Sequence, residues 1–579
     1  MIKRLLKSVG EYKRDSILSP IFVTLEVVME VVIPILMAVL IDNGINKGNM
    51  NTIYKMGIIL IAFALISLLF GALSGKFAAS ASAGYAKNLR RDMYYNVQNF
   101  SFANIDKFST SSIVTRLTTD VANVQNAYQM IIRIAVRCPT MLIFALCMAF
   151  GVNARLSLIF LAVIPILAVG LILIATKAHP IFVRVFQTYD KLNNVVQENL
   201  RGIRVVKSYV REDYEKQKFG KISGEIFRDF SLAEKILAFN SPLMQFSMYA
   251  TILFISWIGA KLIVGSSMTT GQLMSMISYA SQILMSLMML SMVFVMIIIS
   301  RASAERIVEI LEEESDLHNP EKPIHQVKDG SIVFENVNFS YAKDINKLCL
   351  KDIDIQIRSG ETIGIIGGTG SAKTSLVQMI PRLYDATTGR ILIGGIDVRQ
   401  YDIESLRNEV AMVLQKNVLF SGTIKENLRW GKADATDEEI IKVCKLAQAD
   451  DFIQSFPDKY DTYIEQGGSN VSGGQKQRLC IARALLKKPK ILILDDSTSA
   501  VDTKTDSLIR RAFREEIPET TKIIIAQRIS SIEDADKIII MENGKICGFG
   551  SPEELLKTNH IYQEVYYSQK RGGEEDETK

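Results

Sequence analysis

Six long apolar runs in the first half of the chain limit its fold more than any other feature of the sequence. They lie at about 18–41, 56–74, 129–151, 156–176, 238–264 and 273–299. Each approaches or exceeds the ~20 residues that an α-helix needs to cross a bilayer. The sequence therefore predicts a transmembrane domain of six helices over residues 1–300, surrounded by lipid, which excludes a soluble ATPase.

The distribution of lysine and arginine predicts how this domain is oriented. Basic residues precede the first run and fill the long segments after the second and fourth runs, whereas the other loops carry few. The positive-inside rule then places both termini in the cytoplasm. The net charge of +5 is small and is explained by these loops, so it does not indicate a nucleic-acid partner. We expect a multi-pass protein of the plasma membrane, in particular a bacterial inner membrane.

The long segments 75–126 and 177–235 have a helical composition and are too long for turns. We therefore expect the membrane helices to continue into the cytoplasm, with short turning segments near 102–110 and 202–210 as their tips.

The composition changes after residue 300. A charged, proline-containing linker is predicted over 301–330. Short β-rich runs then alternate with helical ones, which predicts an α/β nucleotide-binding domain over 331–570. The tail 571–579 is strongly charged and is predicted to be disordered.

A glycine-rich loop between an apolar strand and a helix predicts phosphate binding. In TIGIIGGTGSAKTSLVQMI, backbone N–H groups would surround phosphate, a lysine would reach the β- and γ-phosphates, and a hydroxyl would ligate Mg²⁺. The candidate residues are Gly367, Gly368, Thr369, Gly370, Ser371, Ala372, Lys373, Thr374 and Ser375.

The loop departs from the pattern G-x-x-x-x-G-K-[ST] at one position, where Ala372 replaces the second glycine. If residue 372 is helical, alanine is harmless. If the position requires a positive φ, alanine costs ~1 kcal/mol or more. The sequence leaves both conformations open.

Two further motifs follow. The apolar strand 491–494 ends at Asp495, a suitable position for the water shell of Mg²⁺. The stretch NVSGGQ at 470–475 precedes a helix and forms a second candidate phosphate cradle. Because one nucleotide does not need two cradles, the second is predicted to face a nucleotide held by another domain.

Together with TSAVD at 498–502, these motifs resemble the ATP-binding cassette (ABC) family, specifically exporters with six membrane helices fused to one P-loop cassette. The resemblance covers nearly the whole chain. It implies an ATP hydrolase coupled to transport, with ATP and Mg²⁺ as ligands.

The resemblance also implies roles for single residues. Tyr341 matches the aromatic residue that stacks on adenine, the alternative being an unrelated aromatic on a strand. Gln415 matches the glutamine that contacts Mg²⁺ and the membrane-domain tips, so Thr374, Gln415 and Asp495 form the implied metal set. The signature residues that close over a partner's ATP are Ser472, Gly473, Gly474 and Gln475, and Asp502 crosses the dimer interface.

Two catalytic positions differ from the family pattern. The residue after Asp495 is normally glutamate, which orients or deprotonates the attacking water, and here it is the shorter Asp496. The switch histidine is replaced by Gln527, which carries no charge and no transferable proton at neutral pH. Gln466, shortly before the signature, also stands where a glutamate is common.

These departures predict the degenerate-site subunit of a heterodimeric exporter of the multidrug type. The partner would be a homologous half-transporter with the catalytic glutamate and the switch histidine, and this chain's VSGGQ would complete the partner's competent site. The alternatives are an ordinary homodimeric exporter that tolerates the substitutions, and an ABC-type channel or regulatory subunit.

The membrane runs contain charges and many methionines. Glu26 and Glu30 lie in the first run, and Arg133 and Arg137 in the third. Charges at membrane depth are costly, so we expect either a Glu30–Arg137 bridge or direct contact with cargo. The sixth run is rich in methionine, which suits a promiscuous apolar cavity as well as ordinary helix packing. The expected cargo is apolar or amphipathic, drug-like or lipid-like.

Overall fold

The computed structural model describes residues 1–576, leaving aside the side chains of 175, 179, 186, 190, 299 and 571–576. The chain forms two compact units. The first comprises Met1–Gln98 and Ser109–Glu313, and the second comprises Asn99–Phe108 and the chain from Glu314 onward.

The first unit is helical, with α4 alone among the following helices belonging to the second unit. In chain order the helices are α1 (Ile2–Lys7), α2 (Lys13–Val39), α3 (Met50–Gln98), α4 (Phe102–Lys107), α5 (Thr110–Thr115), α6 (Val121–Val152), α7 (Ala154–Arg201), α8 (Ile203–Ser208), α9 (Glu212–Leu237), α10 (Asn240–Val264) and α11 (Thr270–Glu312).

Six helical segments of this unit are long and apolar enough to cross a membrane, which confirms the predicted six-helix domain. They are Gly10–Ile45, Met50–Gln98, Thr110–Val152, Ala154–Arg201, Glu212–Val264 and Thr270–Glu312. All extend beyond the ~20 residues of a single crossing. The short helices α4 and α8 occupy the two positions where helix tips were predicted.

The last membrane helix continues into the segment predicted as a linker. α11 ends only at Glu312, and the unit boundary follows at Glu313. The reason is the apolar stripe of residues 304–311, whose Ile307 and Ile310 are fully buried. Because this stripe repeats at helical spacing, burial favours extending the helix over starting a linker at 301.

The second unit contains three sheets. Their strands are β1 (Ile332–Phe339), β2 (Leu350–Ile357), β3 (Thr362–Gly367), β4 (Thr388–Ile393), β5 (Ile396–Asp397), β6 (Val410–Val413), β7 (Gly422–Thr423), β8 (Tyr463–Ile464), β9 (Ile491–Asp495), β10 (Thr521–Ile525), β11 (Lys537–Glu542) and β12 (Lys545–Gly550). The orders are β2-β1-β4-β5, β12-β11-β3-β10-β9-β6 and β7-β8.

Nine further helices pack around these sheets. They are α12 (Lys373–Gln378), α13 (Ile403–Glu409), α14 (Ile424–Arg429), α15 (Asp437–Leu446), α16 (Asp450–Gln454), α17 (Gly473–Leu486), α18 (Thr503–Glu516), α19 (Pro552–Thr558) and α20 (His560–Asp576). This confirms the α/β nucleotide-binding domain. The tail expected at 571–579 lies partly on the last turns of α20, and 577–579 fall outside the described residues.

Burial on both faces explains the central strands. In β9, Ile491 and Ile493 belong to one hydrophobic cluster, whereas Leu492 and Leu494 belong to the other. A parallel strand covered on both faces needs such an uninterrupted apolar run. β3, β10 and β9 are parallel neighbours, and Ile525 is paired with both Ile365 and Asp495. The carboxyl ends of these strands therefore meet at one edge, which is where open α/β sheets place their ligands.

Candidate nucleotide site

The phosphate loop leaves β3 at that edge and is compact. The N–H of Ser371 donates to the carbonyl of Gly368 at 3.2 Å, and Gly370 has a φ of +82°. A side chain at Gly367 would place its Cβ 2.3 Å from the carbonyl oxygen of Met541. Added Cβ atoms at Gly368 and Gly370 would meet nothing within 4 Å. Glycine at 367 thus permits close packing, and the space above 368 and 370 suits a phosphate chain.

Ala372 adopts the conformation that the sequence left open. Its φ is +71° and its ψ is +25°, in the left-handed region, immediately before α12. An L-residue there costs roughly 1–2 kcal/mol, because its Cβ approaches the neighbouring carbonyl oxygen. The alanine therefore retains the loop geometry at the expense of local strain.

Ala372→Gly should raise the stability of the cassette by ~1 kcal/mol, because glycine enters the left-handed region without that clash. Thermal unfolding of the full chain would measure the change. Ala512→Gly, the same substitution inside α18, serves as the control and should lower stability by ~1 kcal/mol. Shifts of the same sign in both variants would contradict the assignment of strain to Ala372.

The loop lysine lies folded over the loop. Its Nζ donates to the carbonyls of Gly367 at 2.7 Å and Gly368 at 2.9 Å. Burial lowers the pKa of Lys373, and the carboxylates of Asp495 and Asp496 oppose that shift. The ammonium thus lies among the donors of the loop and next to two acidic groups, a suitable position for contacting phosphate.

Thr374 and Asp495 form a suitable site for a divalent cation. The Thr374 hydroxyl donates to Asp495 Oδ1 at 3.2 Å. Asp495 is only 2% exposed, and its Oδ2 has no hydrogen-bond partner among the described residues. Burial raises the pKa of Asp495. A buried carboxylate oxygen without a partner beside a hydroxyl fits a Mg²⁺ ion, which prefers oxygen ligands. Gln415, the third residue of the implied set, follows β6 and is exposed.

The two divergent residues contact each other. Gln527 Nε2 donates to Asp496 Oδ2 at 2.7 Å. The N–H of Asp496 donates to the carbonyl of Ile525, and the φ of Asp496 is +50°. β9 and β10 therefore bring both residues to the same edge as the phosphate loop. The carboxylate of Asp496 is engaged by a neutral amide, which orients it but cannot exchange a proton with it.

Tyr341 lies beside the phosphate loop and is 49% exposed. Its hydroxyl is 2.8 Å from the Ser375 hydroxyl in α12, and its ring meets Phe339 and Tyr384 edge-on. The ring is thereby fixed on three sides while one part stays open to solvent, an arrangement that suits stacking on a flat ligand.

Sequence reasoning missed two residues next to this aromatic cluster. The hydroxyl of Tyr384 donates to Asp106 Oδ2 at 2.6 Å, and the Tyr384 ring packs against Phe102 at a centroid distance of 6.0 Å. Both Phe102 and Asp106 lie in α4, the tip segment between two membrane spans. Burial and the Asp106 carboxylate raise the pKa of Tyr384, so its hydroxyl stays a donor. No motif marked either residue, because the contact joins positions far apart in sequence.

Tyr384→Phe should loosen the segment 99–108, because it removes a hydrogen bond to a charged acceptor worth roughly 1.5–3 kcal/mol. Hydrogen exchange of amides 99–108 would measure the loss as faster exchange. Tyr401→Phe is the control, since it removes a buried hydroxyl that donates to Ile393 elsewhere in the cassette. Equal exchange in 99–108 in the two variants would contradict the role of Tyr384.

The signature forms the start of a regular helix. Ser472 caps α17, and its hydroxyl accepts from the N–H of Gln475 while the Gln475 side chain accepts from the N–H of Ser472. A Cβ at Gly474 would lie 2.8 Å from the carbonyl of Ala500, whereas one at Gly473 would meet only Ala500 Cβ at 3.6 Å.

The neighbouring loop is held by a second cap. Asp502 caps α18 by accepting from the N–H of Thr505 at 2.9 Å, and that bond lowers the pKa of Asp502. Gln466 begins a short 3₁₀ segment, Gln466–Gly468, ahead of the signature. The signature and Asp502 thus lie on adjacent, well-ordered turns.

In the membrane unit, Arg137 lies between two carboxylates. Arg137 Nη2 is 2.6 Å from Glu30 Oε2, and Arg137 Nη1 pairs with Glu26 Oε1. The Glu26 side chain is 13% exposed and the Glu30 side chain 34%. The sequence suggested only Glu30 as a partner, because linear depth counting does not show which face of α2 meets α6.

Two glycines of α3 border these charges. A Cβ at Gly71 would lie 3.1 Å from the Glu26 carboxylate, and one at Gly75 would lie 3.5 Å from the guanidinium of Arg133. Their four-residue spacing therefore leaves room for charged side chains as well as for close helix packing.

Fold and site together define a membrane transporter with a nucleotide-binding cassette. The family model "ABC transporter transmembrane region" matches residues 16–288, and the model "ABC transporter" matches 350–499. An uncharacterized ABC transporter ATP-binding protein, YfiB of Bacillus subtilis (strain 168), is 36% identical over 544 residues, 94% of each chain. The chain belongs to the ABC transporter family.

Other similar proteins include transporters with named substrates. The ATP-dependent lipid A-core flippase of Desulfotalea psychrophila is 33% identical over 83% of this chain and 84% of its own. The fatty acid ABC transporter ATP-binding/permease protein of Mycobacterium bovis is 31% identical over 82% of this chain and 75% of its own.

A solved structure shares the whole fold. The structure of a bacterial Atm1-family ABC exporter with ATP bound aligns with a TM-score of 0.83 at 22% identity, covering 97% of this chain and 99% of that one. The chain is thus a multi-pass ABC exporter half-transporter, and its cassette is an ABC ATPase domain that couples ATP hydrolysis to transport.

Proposed function

We propose that this chain is the degenerate-site half of a heterodimeric ABC exporter. The observation that carries the proposal is the Asp496–Gln527 contact, in which a shortened carboxylate is hydrogen-bonded to an uncharged amide at the hydrolytic position. General base catalysis requires a group within reach of the attacking water and able to take its proton. A site with this pair binds ATP and hydrolyses it slowly.

The remaining residues have roles that agree with this proposal. The loop 367–375 holds the phosphates, Tyr341 stacks on adenine, and Thr374, Gln415 and Asp495 hold Mg²⁺. Ser472, Gly473, Gly474 and Gln475 form an intact signature for the partner's site, which supplies the glutamate and the histidine. Asp502 faces the partner across the interface.

The cargo is apolar or amphipathic and leaves the cytoplasm across the plasma membrane. The named substrates of two relatives, lipid A-core and fatty acid, support this class. The basic cytoplasmic segments support an orientation with both termini inside.

An asymmetric pair responds unequally to damage in its two ATP sites, and this provides the test. Gly473→Asp puts a carboxylate into the signature at the position where a Cβ fits without overlap. In a complex with a partner that has the glutamate and histidine, it should abolish most ATP hydrolysis. Lys373→Ala, which damages this chain's own loop, should leave most of it.

The purified chain alone provides the second measurement and should hydrolyse ATP slowly. Robust turnover by the chain alone, with equal losses in Gly473→Asp and Lys373→Ala, would identify an ordinary homodimer. Vesicles that concentrate a labelled amphipathic cargo distinguish a pump from a channel, because gating alone does not move cargo uphill.

A further inference from the structure

The last helix of the chain contacts the backbone at the switch position. Gln569 in α20 donates through Nε2 to the carbonyl of Gln527 at 2.9 Å. Its Oε1 accepts from the N–H of Ile529 at 2.8 Å. One side-chain amide thus binds the main chain on both sides of Arg528, with good geometry at each atom.

The backbone that Gln569 binds carries the side chain that contacts Asp496. Gln527 comes two residues after the end of β10, and the 3₁₀ turn Ile529–Ser531 follows at once. The two bonds from Gln569 fix the segment between strand and turn. Since Gln527 Nε2 donates to Asp496 Oδ2 at 2.7 Å, that segment sets where the Asp496 carboxylate points.

The helix that carries Gln569 is itself anchored in the core of the cassette. Tyr562 is 1% exposed, and Ile561, Val565 and Tyr566 pack against the same hydrophobic cluster that contains Ile529. The helix thus has a fixed position from which an exposed glutamine reaches the switch segment. A side chain fixed by packing of its own element can position a group with precision.

We propose that Gln569 is a positioning residue for ATP hydrolysis, and that it makes α20 a structural part of the nucleotide site. Only a primary amide supplies both the donor and the acceptor that this contact uses. The carboxylate of a glutamate would keep the bond from Ile529 and lose the one to Gln527. Detachment of α20 would release the switch segment and misplace Asp496. This inference holds for a homodimer and a heterodimer alike.

Gln569→Leu in the full chain tests the proposal, with Gln563→Leu as the matched control. Gln563 lies in the same helix and also donates to a backbone carbonyl, that of Leu556 at 2.8 Å, away from the switch segment. Single-turnover hydrolysis of labelled ATP should slow ~10-fold in Gln569→Leu, because small displacements of reacting groups cost large factors in rate. The Kd for ATP should change less than ~2-fold, since the phosphate loop is untouched.

Hydrogen exchange gives a readout that does not depend on turnover. The Ile529 amide should exchange ~10-fold faster in Gln569→Leu than in Gln563→Leu, because it loses its acceptor. Gln569→Glu keeps that acceptor and should leave exchange at Ile529 close to the unmodified level while hydrolysis falls. If Gln569→Leu melts at a lower temperature than Gln563→Leu, the comparison rests on Gln569→Glu. Equal hydrolysis rates in the Gln569 and Gln563 variants, or a loss of rate matched by an equal loss of ATP affinity, would overturn the proposal.

Discussion

Asp496→Glu combined with Gln527→His should raise ATP hydrolysis by the purified chain about 10²-fold, the lower end of what general acid–base catalysis contributes. The added methylene carries the carboxylate towards the attacking water. The histidine replaces the neutral amide that now donates to Asp496 Oδ2 at 2.7 Å and adds a group that can carry charge. Steady-state phosphate release, with ATP affinity measured in parallel, reports the change.

The single variants and a neutral variant make this prediction specific. Asp496→Glu alone should recover only part of the rate, because Gln527 still engages the carboxylate. Asp496→Asn, which removes the charge at constant size, should leave the slow rate of the unmodified chain nearly unchanged. A large fall in Asp496→Asn would mean that Asp496 already serves as an effective base, and the degenerate-site proposal would then fail.

Arg137→Gln should destabilise the membrane domain by roughly 3 kcal/mol or more, because it leaves two buried carboxylates without their counter-ion. Glu26 and Glu30 both depend on this guanidinium. Thermal unfolding in lipid nanodiscs would measure the loss. Arg133→Gln, one turn earlier in α6, is the matched control, since the structure shows no ion pair for Arg133 among the residues it describes.

Neutralising the whole cluster separates pairing from cargo contact. The triple variant Glu26→Gln, Glu30→Gln, Arg137→Gln removes every unpaired charge and should recover most of the stability lost in Arg137→Gln. Glu26→Gln should matter more than Glu30→Gln, because the Glu26 side chain is the less exposed of the two. An unfolding temperature of Arg137→Gln equal to that of Arg133→Gln would show that the charges do not stabilise the fold.

Several features could be predicted because they depend on local composition or on a contiguous motif. The six spans follow from runs of apolar residues, and the phosphate loop, Asp495 and the signature each occupy a short stretch of chain. The substitutions Asp496 and Gln527 were visible at once, because their positions are fixed relative to two strands. The end of the last membrane helix was misjudged at 301, because the charged residues there conceal the apolar stripe that buries Ile307 and Ile310.

The sequence by itself determined the two domains, the nucleotide motifs and the departures from the family pattern, since each is a property of neighbouring residues. Only the tertiary structure decided the φ of +71° at Ala372, because a residue's allowed conformations do not reveal which one its surroundings impose. It also decided that Glu26 shares Arg137, that Tyr384 holds Asp106, and that Gln569 holds the switch segment. Each of these contacts joins residues more than 40 positions apart, and only the packing of helices and strands sets such distances.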